Sequence, residues 1–196
     1  MVPGVAYCLL HFVVNCPLMN RIDVDLGETS RLKSLEALEI LDSPSQPVFD
    51  QVVQVASLLC GTPIALISLV DRDRLFFLAN AGLDVAEVPS EHSLCSHAIH
   101  TPQQLLEVRD AREDARFADS PLVTGLPGIV FYAGAPLVTE SGEPIGTLCV
   151  IDRKPRELSE SQRVALDSLA QVTVELMESR GRERRIQRQL DECVEA

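Results

Sequence analysis

Cys95, His97 and His100 stand close together in the chain, with His92 just upstream. Sulfur and imidazole at such spacing could ligate a metal ion, or could pair a reactive thiol with a base. Helical geometry separates the two. At about 100° per residue, Leu94, Cys95, Ala98 and Ile99 share one face, while His92, Ser96 and His100 take the other. His97 falls at the far edge of that second face. The histidines do not converge on the thiol, so no metal is expected. Three readings of Cys95 remain: a buried core or pocket-wall thiol, a ligand contact, or a redox centre activated by a helix N-terminus at Ser93.

A second constellation is DAREDARF, with Asp110, Asp114 and Arg116. It reads either as a solvated loop with a carboxylate–guanidinium clasp or as a lid whose Arg116 grips an anionic ligand in a fork. No nucleophile accompanies it at local spacing, so a general acid–base pair is not expected. Gly134 interrupts the run Phe131–Leu137 beside Tyr132, a place where a helix or a ligand would approach the backbone closely. Phosphate-loop, dinucleotide, nucleophile-elbow and zinc-protease motifs are all missing.

These residues need elements to hold them. Leu32, Leu35, Leu38 and Leu41 recur at helical spacing, predicting a helix capped by Thr29 or Ser30 and running to about Leu41. A second helix is predicted over Val48–Cys60, stopped by Gly61. Ile64–Val70 and Arg74–Asn80 read as strands joined at Arg72-Asp73. Residues 83–92 read as loop, Ser93–His100 as a short helix, and Gln104–Val108 as a short strand. Arg109–Pro127 is turn-rich with room for one short helix. Phe131–Val138 and Ile145–Asp152 form a hairpin, apolar nearly throughout, so both faces of its sheet must be covered. Ser159 opens a long helix reaching toward Cys193. Hairpin-linked strands between helices make an α+β fold with an antiparallel sheet.

On the last helix, Leu169, Val172, Leu176, Ser179, Glu183, Ile186, Leu190 and Cys193 fall at alternating three- and four-residue steps. That is either a coiled-coil seam to a second copy or a solvated tail. The arginines at 180, 182, 184, 185 and 188 read as a solvated face with i,i+4 pairs.

The formal net charge is −12 over 196 residues, and hydrophobic residues make up 46%. Such a surface excludes nucleic acid and anionic membrane as partners, and such a composition excludes global disorder. Six scattered cysteines without a CxxC argue for reduced thiols and a cytoplasmic location. The apolar run Val5–Val14 is too short to span a bilayer and lacks the features of a signal peptide. Residues 1–20 are expected to be a poorly ordered extension, with Met19 an alternative start.

The chain resembles a GAF domain from about Arg31 to Arg180. The resemblance rests on Cys95-Ser96-His97-Ala98-Ile99, on Asp110-Ala111 with Asp114, Arg116 and Phe117, on Ser120–Val123, on Phe131–Leu137, on Gly146–Asp152, and on Pro155, Arg156, Leu158, Ser159 and Gln162. It implies a GAF/PAS-like fold: a sheet of five or six antiparallel strands, terminal helices on one face, and a pocket on the other closed by the short helix and loops. The domain would span 21–180, with a helical or coiled-coil tail over 181–196. Relatives are sensory modules that bind cyclic nucleotides, haem, bilins or other small molecules and dimerise through terminal helices. This subgroup is similar to modules preceding histidine kinase or diguanylate cyclase domains. None follows here, so a separate kinase or cyclase partner, or a fragment, is expected. The implied function is non-catalytic binding of a small molecule of unknown identity, with Cys95, His97, Asp114, Arg116, Phe117 and Tyr132 as candidate contacts. The alternative is thiol chemistry at Cys95 and Cys149: a redox switch, or a reductase of free methionine sulfoxide like one GAF family. The wide sequence separation of the two cysteines counts against the reductase.

Overall fold

The computed structural model describes residues 17–44, 46–83, 85–90 and 93–195. The Val5–Val14 run, Cys8, Cys16 and His92 lie outside them. The chain forms α1 (Pro17–Ala37), α2 (Pro47–Cys60), β1 (Ile64–Val70), β2 (Arg74–Ala81), β3 (Glu87–Pro89), α3 (Leu94–Ala98), β4 (Leu106–Val108), α4 (Pro121–Thr124), β5 (Phe131–Val138), β6 (Pro144–Asp152) and α5 (Glu160–Glu195). The strands make one antiparallel six-stranded sheet in the order β3-β2-β1-β6-β5-β4.

The near-continuous apolar character of β1, β5 and β6 follows from cover on both faces. Every residue of β1 is buried. One face carries Ala65, Ile67, Leu69, Leu148 and Val150 and packs against Phe49 and Val53 of α2 and Leu166, Ala170, Val174 and Met177 of α5. The opposite face carries Ile64, Leu66, Cys149, Ile151 and Tyr132 and packs against Leu94, Cys95 and Ile99 around α3. A register shift between β1 and β2 at Ile67/Ser68 pairs Ser68 with Phe77 and keeps Phe77 on this second face.

Local signals set the ends of the helices. Pro47 enters α2 at its first turn, and Gly61 ends it with a left-handed φ of 64°. Ser159 opens α5 through a reciprocal box: its Oγ accepts from the Gln162 N–H at 3.2 Å, and its own N–H donates to Gln162 Oε1 at 2.9 Å.

Four expectations need correction. The first helix starts by Pro17 rather than at Thr29 or Ser30, and Ser30 Oγ donates to Glu143 in the β5–β6 turn instead of capping. The helix also ends at Ala37, not Leu41, because Glu39 adopts a left-handed φ of 50°. The arginines of α5 explain this ending. Arg184 and Arg185 donate to the Glu39 and Ala37 carbonyls, and Arg188 pairs with the Glu39 carboxylate. They fill acceptors that a helix C-terminus leaves open. The cluster is therefore a cross-helix clamp rather than a solvated face of i,i+4 pairs. The loop over 83–92 contributes a short edge strand, β3, which its composition did not predict.

Among the described residues, no helix is long and apolar enough to cross a membrane.

Close strand approach makes Gly146 indispensable. A Cβ there would stand 2.2 Å from the Ser68 carbonyl oxygen across the β1–β6 ladder. Gly146→Ala is expected to cost about 3 kcal/mol or more in urea unfolding. A loss below about 1 kcal/mol would contradict this strand pairing.

Candidate functional site

Register assembles the site. Thr147 lies opposite Ser68 and Pro136, Cys149 opposite Leu66 and Gly134, and Ile151 opposite Ile64 and Tyr132. Directly opposed residues share a face, so Ser68, Thr147, Cys149 and Tyr132 all belong to the α3 side of the sheet. From above, Ser93 caps α3 by accepting the Ser96 N–H on its Oγ at 3.0 Å. That start directs Leu94, Cys95 and Ala98 inward, as the helical arc predicts, and leaves His97 and His100 exposed.

Tyr132 is fully buried, and its hydroxyl donates to Cys95 Sγ at 3.5 Å. Its ring leans along β5 over Gly134. A Cβ on Gly134 would meet Tyr132 Oη at 2.2 Å and Cζ at 2.7 Å. The close approach expected at this glycine is thus made by the neighbouring tyrosine, not by a helix or ligand.

Register sets Cys149 opposite Gly134, where the Tyr132 ring that reaches Cys95 also lies, so the two cysteines share one buried cluster despite the long stretch of chain between them. The neighbouring Cys149 thiol, then the Thr147, Tyr132 and Ser68 hydroxyls on the same face, favour the Cys95 thiolate and hold its pKa below the ordinary thiol value, while burial works against this. The neighbouring Cys95, reinforced by burial, pushes Cys149 well above that value. Burial likewise raises Tyr132. The two thiols therefore titrate as one unit, its first proton leaving early and its second late. Ser68 Oγ and Thr147 Oγ1 are fully buried and have no hydrogen-bond partner among the described residues. They are donors left over beside a thiol, which is where a thiolate would use them.

Next to this polar knot is a cavity of about 300 Å³. Its walls are Leu66, Leu75 and Phe77 from the sheet, Leu122 from α4, Ile129 from the loop after it, and Leu94 and Cys95 from α3. Polar groups are few: Ser93, Cys95, Tyr132 and Arg153. Val85 and Leu126 line the cavity and are exposed at 43% and 93%, so among the described residues its entrance is apolar. Arg153 stands beside it, with Nε donating to the Pro127 carbonyl at 2.9 Å.

The six candidate contacts thus divide. Cys95 and Tyr132 wall the cavity. His97, Asp114, Arg116 and Phe117 form a second group beside it and do not line it. Phe117 is buried, with the His97 ring edge-on at 4.8 Å and the Arg116 guanidinium 4.8 Å from its centroid. Arg116 grips Asp114 through Nε at 3.0 Å and Nη2 at 2.7 Å, and this holds the Asp114 carboxyl below its usual range. Arg112 does the same with Asp110. Both forks are closed on their own loop. Among the described residues, no three metal-ligating side chains gather.

The GAF domain family profile matches residues 45–174. This chain belongs to the GAF family. A cyclic di-GMP phosphodiesterase of Pseudomonas aeruginosa is 42% identical over 148 residues, which cover 75% of this chain and 25% of that protein. The chain therefore spans about a quarter of the length of this curated relative. Two solved structures share the fold. The GAF domain of an Acinetobacter phosphoenolpyruvate-protein phosphotransferase superposes with a TM-score of 0.57 at 21% identity, covering 75% of this chain and 93% of that one. A type II free methionine-R-sulfoxide reductase from Thermoplasma acidophilum gives 0.56 at 18% identity, covering 68% and 92%. The expected GAF architecture holds in full: six antiparallel strands, terminal helices on one face, and a short helix over the other.

Ser68 and Thr147 were not foreseen as part of the site. Their signal was a hydroxyl inside an otherwise apolar strand, IALISLV and PIGTLCVID.

Two outcomes follow for this GAF domain. Gly134→Ala should destabilise by about 2 kcal/mol in wild type and by clearly less in a Tyr132→Leu background, a coupling a double-mutant cycle measures. Equal costs in both would detach Tyr132 from Gly134. Thiolate absorbance at 240 nm should show a titration step below the ordinary thiol midpoint of about 8.5 that Cys95→Ser removes. Because the folded pKa is depressed, the associated stability is present above the unfolded value and is lost as pH falls through the folded one. A titration without that step would refute the assigned direction.

Proposed function

We propose that this GAF domain is a non-catalytic sensory module that binds a small, mainly apolar molecule in the cavity between α3 and the β1–β2 end of the sheet. The cavity itself carries the reading: a space of about 300 Å³ whose described entrance is apolar and whose described wall includes one cation, Arg153. Such walls favour a hydrocarbon body with at most one anionic end toward Arg153. They argue against a cyclic nucleotide, whose phosphate and base need more polar partners than these walls offer. Of the six candidate contacts, Cys95 and Tyr132 would touch the ligand directly. His97, Asp114, Arg116 and Phe117 would brace α3 and its neighbouring loop from outside.

The response would pass through β6 to the helices behind the sheet. Asp152 at the end of β6 pairs with Arg156, and Glu107 of β4 binds the Leu158 N–H at 3.2 Å and Arg163 Nε at 2.8 Å. These contacts tie the strand ends to the start of α5. A ligand can act only by preferring one arrangement of that helix over another. Val172, Ile186, Leu190 and Val194 are exposed along α5 and supply the apolar surface for a homodimer. The Pseudomonas relative, named as a cyclic di-GMP phosphodiesterase, makes a cyclic-nucleotide-metabolising or kinase output unit the natural partner, in the cytoplasm and away from nucleic acid and membrane.

Thiol chemistry at Cys95 and Cys149 is a second reading, and their place in one buried cluster around the Tyr132 hydroxyl favours it. A reductase of free methionine sulfoxide is less well served. That substrate is a zwitterion, and the described walls offer Arg153 but no carboxylate for its ammonium group.

Native mass spectrometry of the freshly purified chain is expected to show a dimer. Titration with 1-anilinonaphthalene-8-sulfonate should show one saturable site per chain, weakened about tenfold or more by Ile129→Arg, which places a charge in the cavity wall. Binding unchanged by Ile129→Arg in a folded variant would remove the cavity from the account.

A further inference from the structure

We infer that Cys95 and Cys149 form a two-thiol switch oxidised by organic hydroperoxides, which reach Cys95 through the apolar cavity. The inference rests on the cavity reading above and adds a chemistry to its wall.

Four observations meet here. Cys95 is both part of the cavity wall and in contact with the buried polar knot, so it faces the entry route and the second thiol at once. Cys149 lies opposite Gly134, where the Tyr132 ring that reaches Cys95 also lies, and is buried in the same cluster without lining the cavity itself. Tyr132 Oη donates to Cys95 Sγ, and Ser68 Oγ and Thr147 Oγ1 lie buried without partners on the same face of the sheet. All described cysteines are free. A structural thiol needs none of these donors. A thiolate does, because without a nearby cation only hydrogen-bond donors can offset its burial.

The chemistry balances with the hydroperoxide as the sole oxidant. The Cys95 thiolate attacks the terminal oxygen of R–OOH. An S–O bond forms, the O–O bond breaks, and the alkoxide leaves and takes up the proton Cys95 gave, yielding R–OH and Cys95 sulfenic acid. Cys149 sulfur then attacks Cys95 sulfur. The S–S bond forms, the S–O bond breaks, and hydroxide leaves as water with the Cys149 proton. The protein loses two electrons and the hydroperoxide gains them. A thiol reductant would reverse the change.

The walls select the oxidant. Leu75, Phe77, Leu122 and Ile129 stabilise a hydrocarbon body and offer hydrogen peroxide nothing. A bridge between α3 and β6 would fix the cavity's lid to the strand that leads to α5.

The test is differential alkylation and peptide mapping of the full chain after brief exposure to cumene hydroperoxide or hydrogen peroxide, reading each cysteine separately. Cys95 and Cys149 should oxidise together to a disulfide about tenfold or more faster with cumene hydroperoxide. Val85→Trp, a change at the exposed rim, should slow the cumene hydroperoxide reaction and erase most of that preference. Cys149→Ser should halt the reaction at a Cys95 sulfenic acid that dimedone traps. Should that variant fail to fold, the wild-type map and the Val85→Trp preference decide. Cys95 remaining reduced, equal rates with the two oxidants, or oxidation confined to the exposed Cys193 would each overturn the inference. If Cys95 stays reduced while the anilinonaphthalene probe still binds in the cavity, the thiol switch falls and the binding reading stands. If the probe also ignores the cavity, both fall.

Discussion

β6 lies between β1 and β5, and both of its faces are covered. This double burial constrains everything else in the domain. A strand with no solvent face cannot slip by one residue without moving its whole set of side chains to the wrong layer. Gly146 permits the close β1–β6 approach and Gly134 permits the Tyr132 ring to lie flat against the sheet. With that register fixed, Leu148 and Val150 meet the long helices while Thr147, Cys149 and Ile151 meet the short one. One strand thereby carries the cavity side on alternate residues and the helical side on the rest.

The arrangement explains why polar groups beneath α3 can persist in so apolar an interior. A buried hydroxyl without a partner costs about 1–3 kcal/mol, and the site holds two of them. They sit around a thiol that shares its environment with a second thiol and a buried tyrosine. Apolar substitutes would pack there at lower cost, so the polar groups are the part of the core that packing alone does not account for. The apolar cavity alongside and the closed Arg116–Asp114 and Arg112–Asp110 forks further out complete a division of labour. Charge is held on those loops, and the described walls of the cavity are mostly apolar.

Much of this was legible in the chain. The strands Ile64–Val70 and Phe131–Val138 and the helix starts near Val48 and at Ser159 were set by apolar runs and local caps or breakers, which act over a few residues. The inward turn of Cys95 followed from helical arc alone. What could not be read were features set by distant partners. The end of α1 depends on arginines of α5 that approach from the far end of the chain. The edge strand β3 depends on pairing with β2 rather than on its own composition. The meeting of Cys95 with Cys149 depends on the β1–β6–β5 order, which no local spacing encodes. Arg116 had two readings in sequence, and the fork to Asp114 is what occupies its guanidinium in the fold.

The account centres on the cavity beside Cys95 and Tyr132 as the place where a small molecule is held. The most direct measurement is a crystal structure of the chain grown with an apolar monocarboxylate. The account predicts density for its hydrocarbon body between α3 and the Leu75–Phe77 strand, with the carboxylate directed to Arg153. A ligand found only on the exposed stripe of α5, with side chains closing the cavity, would contradict it.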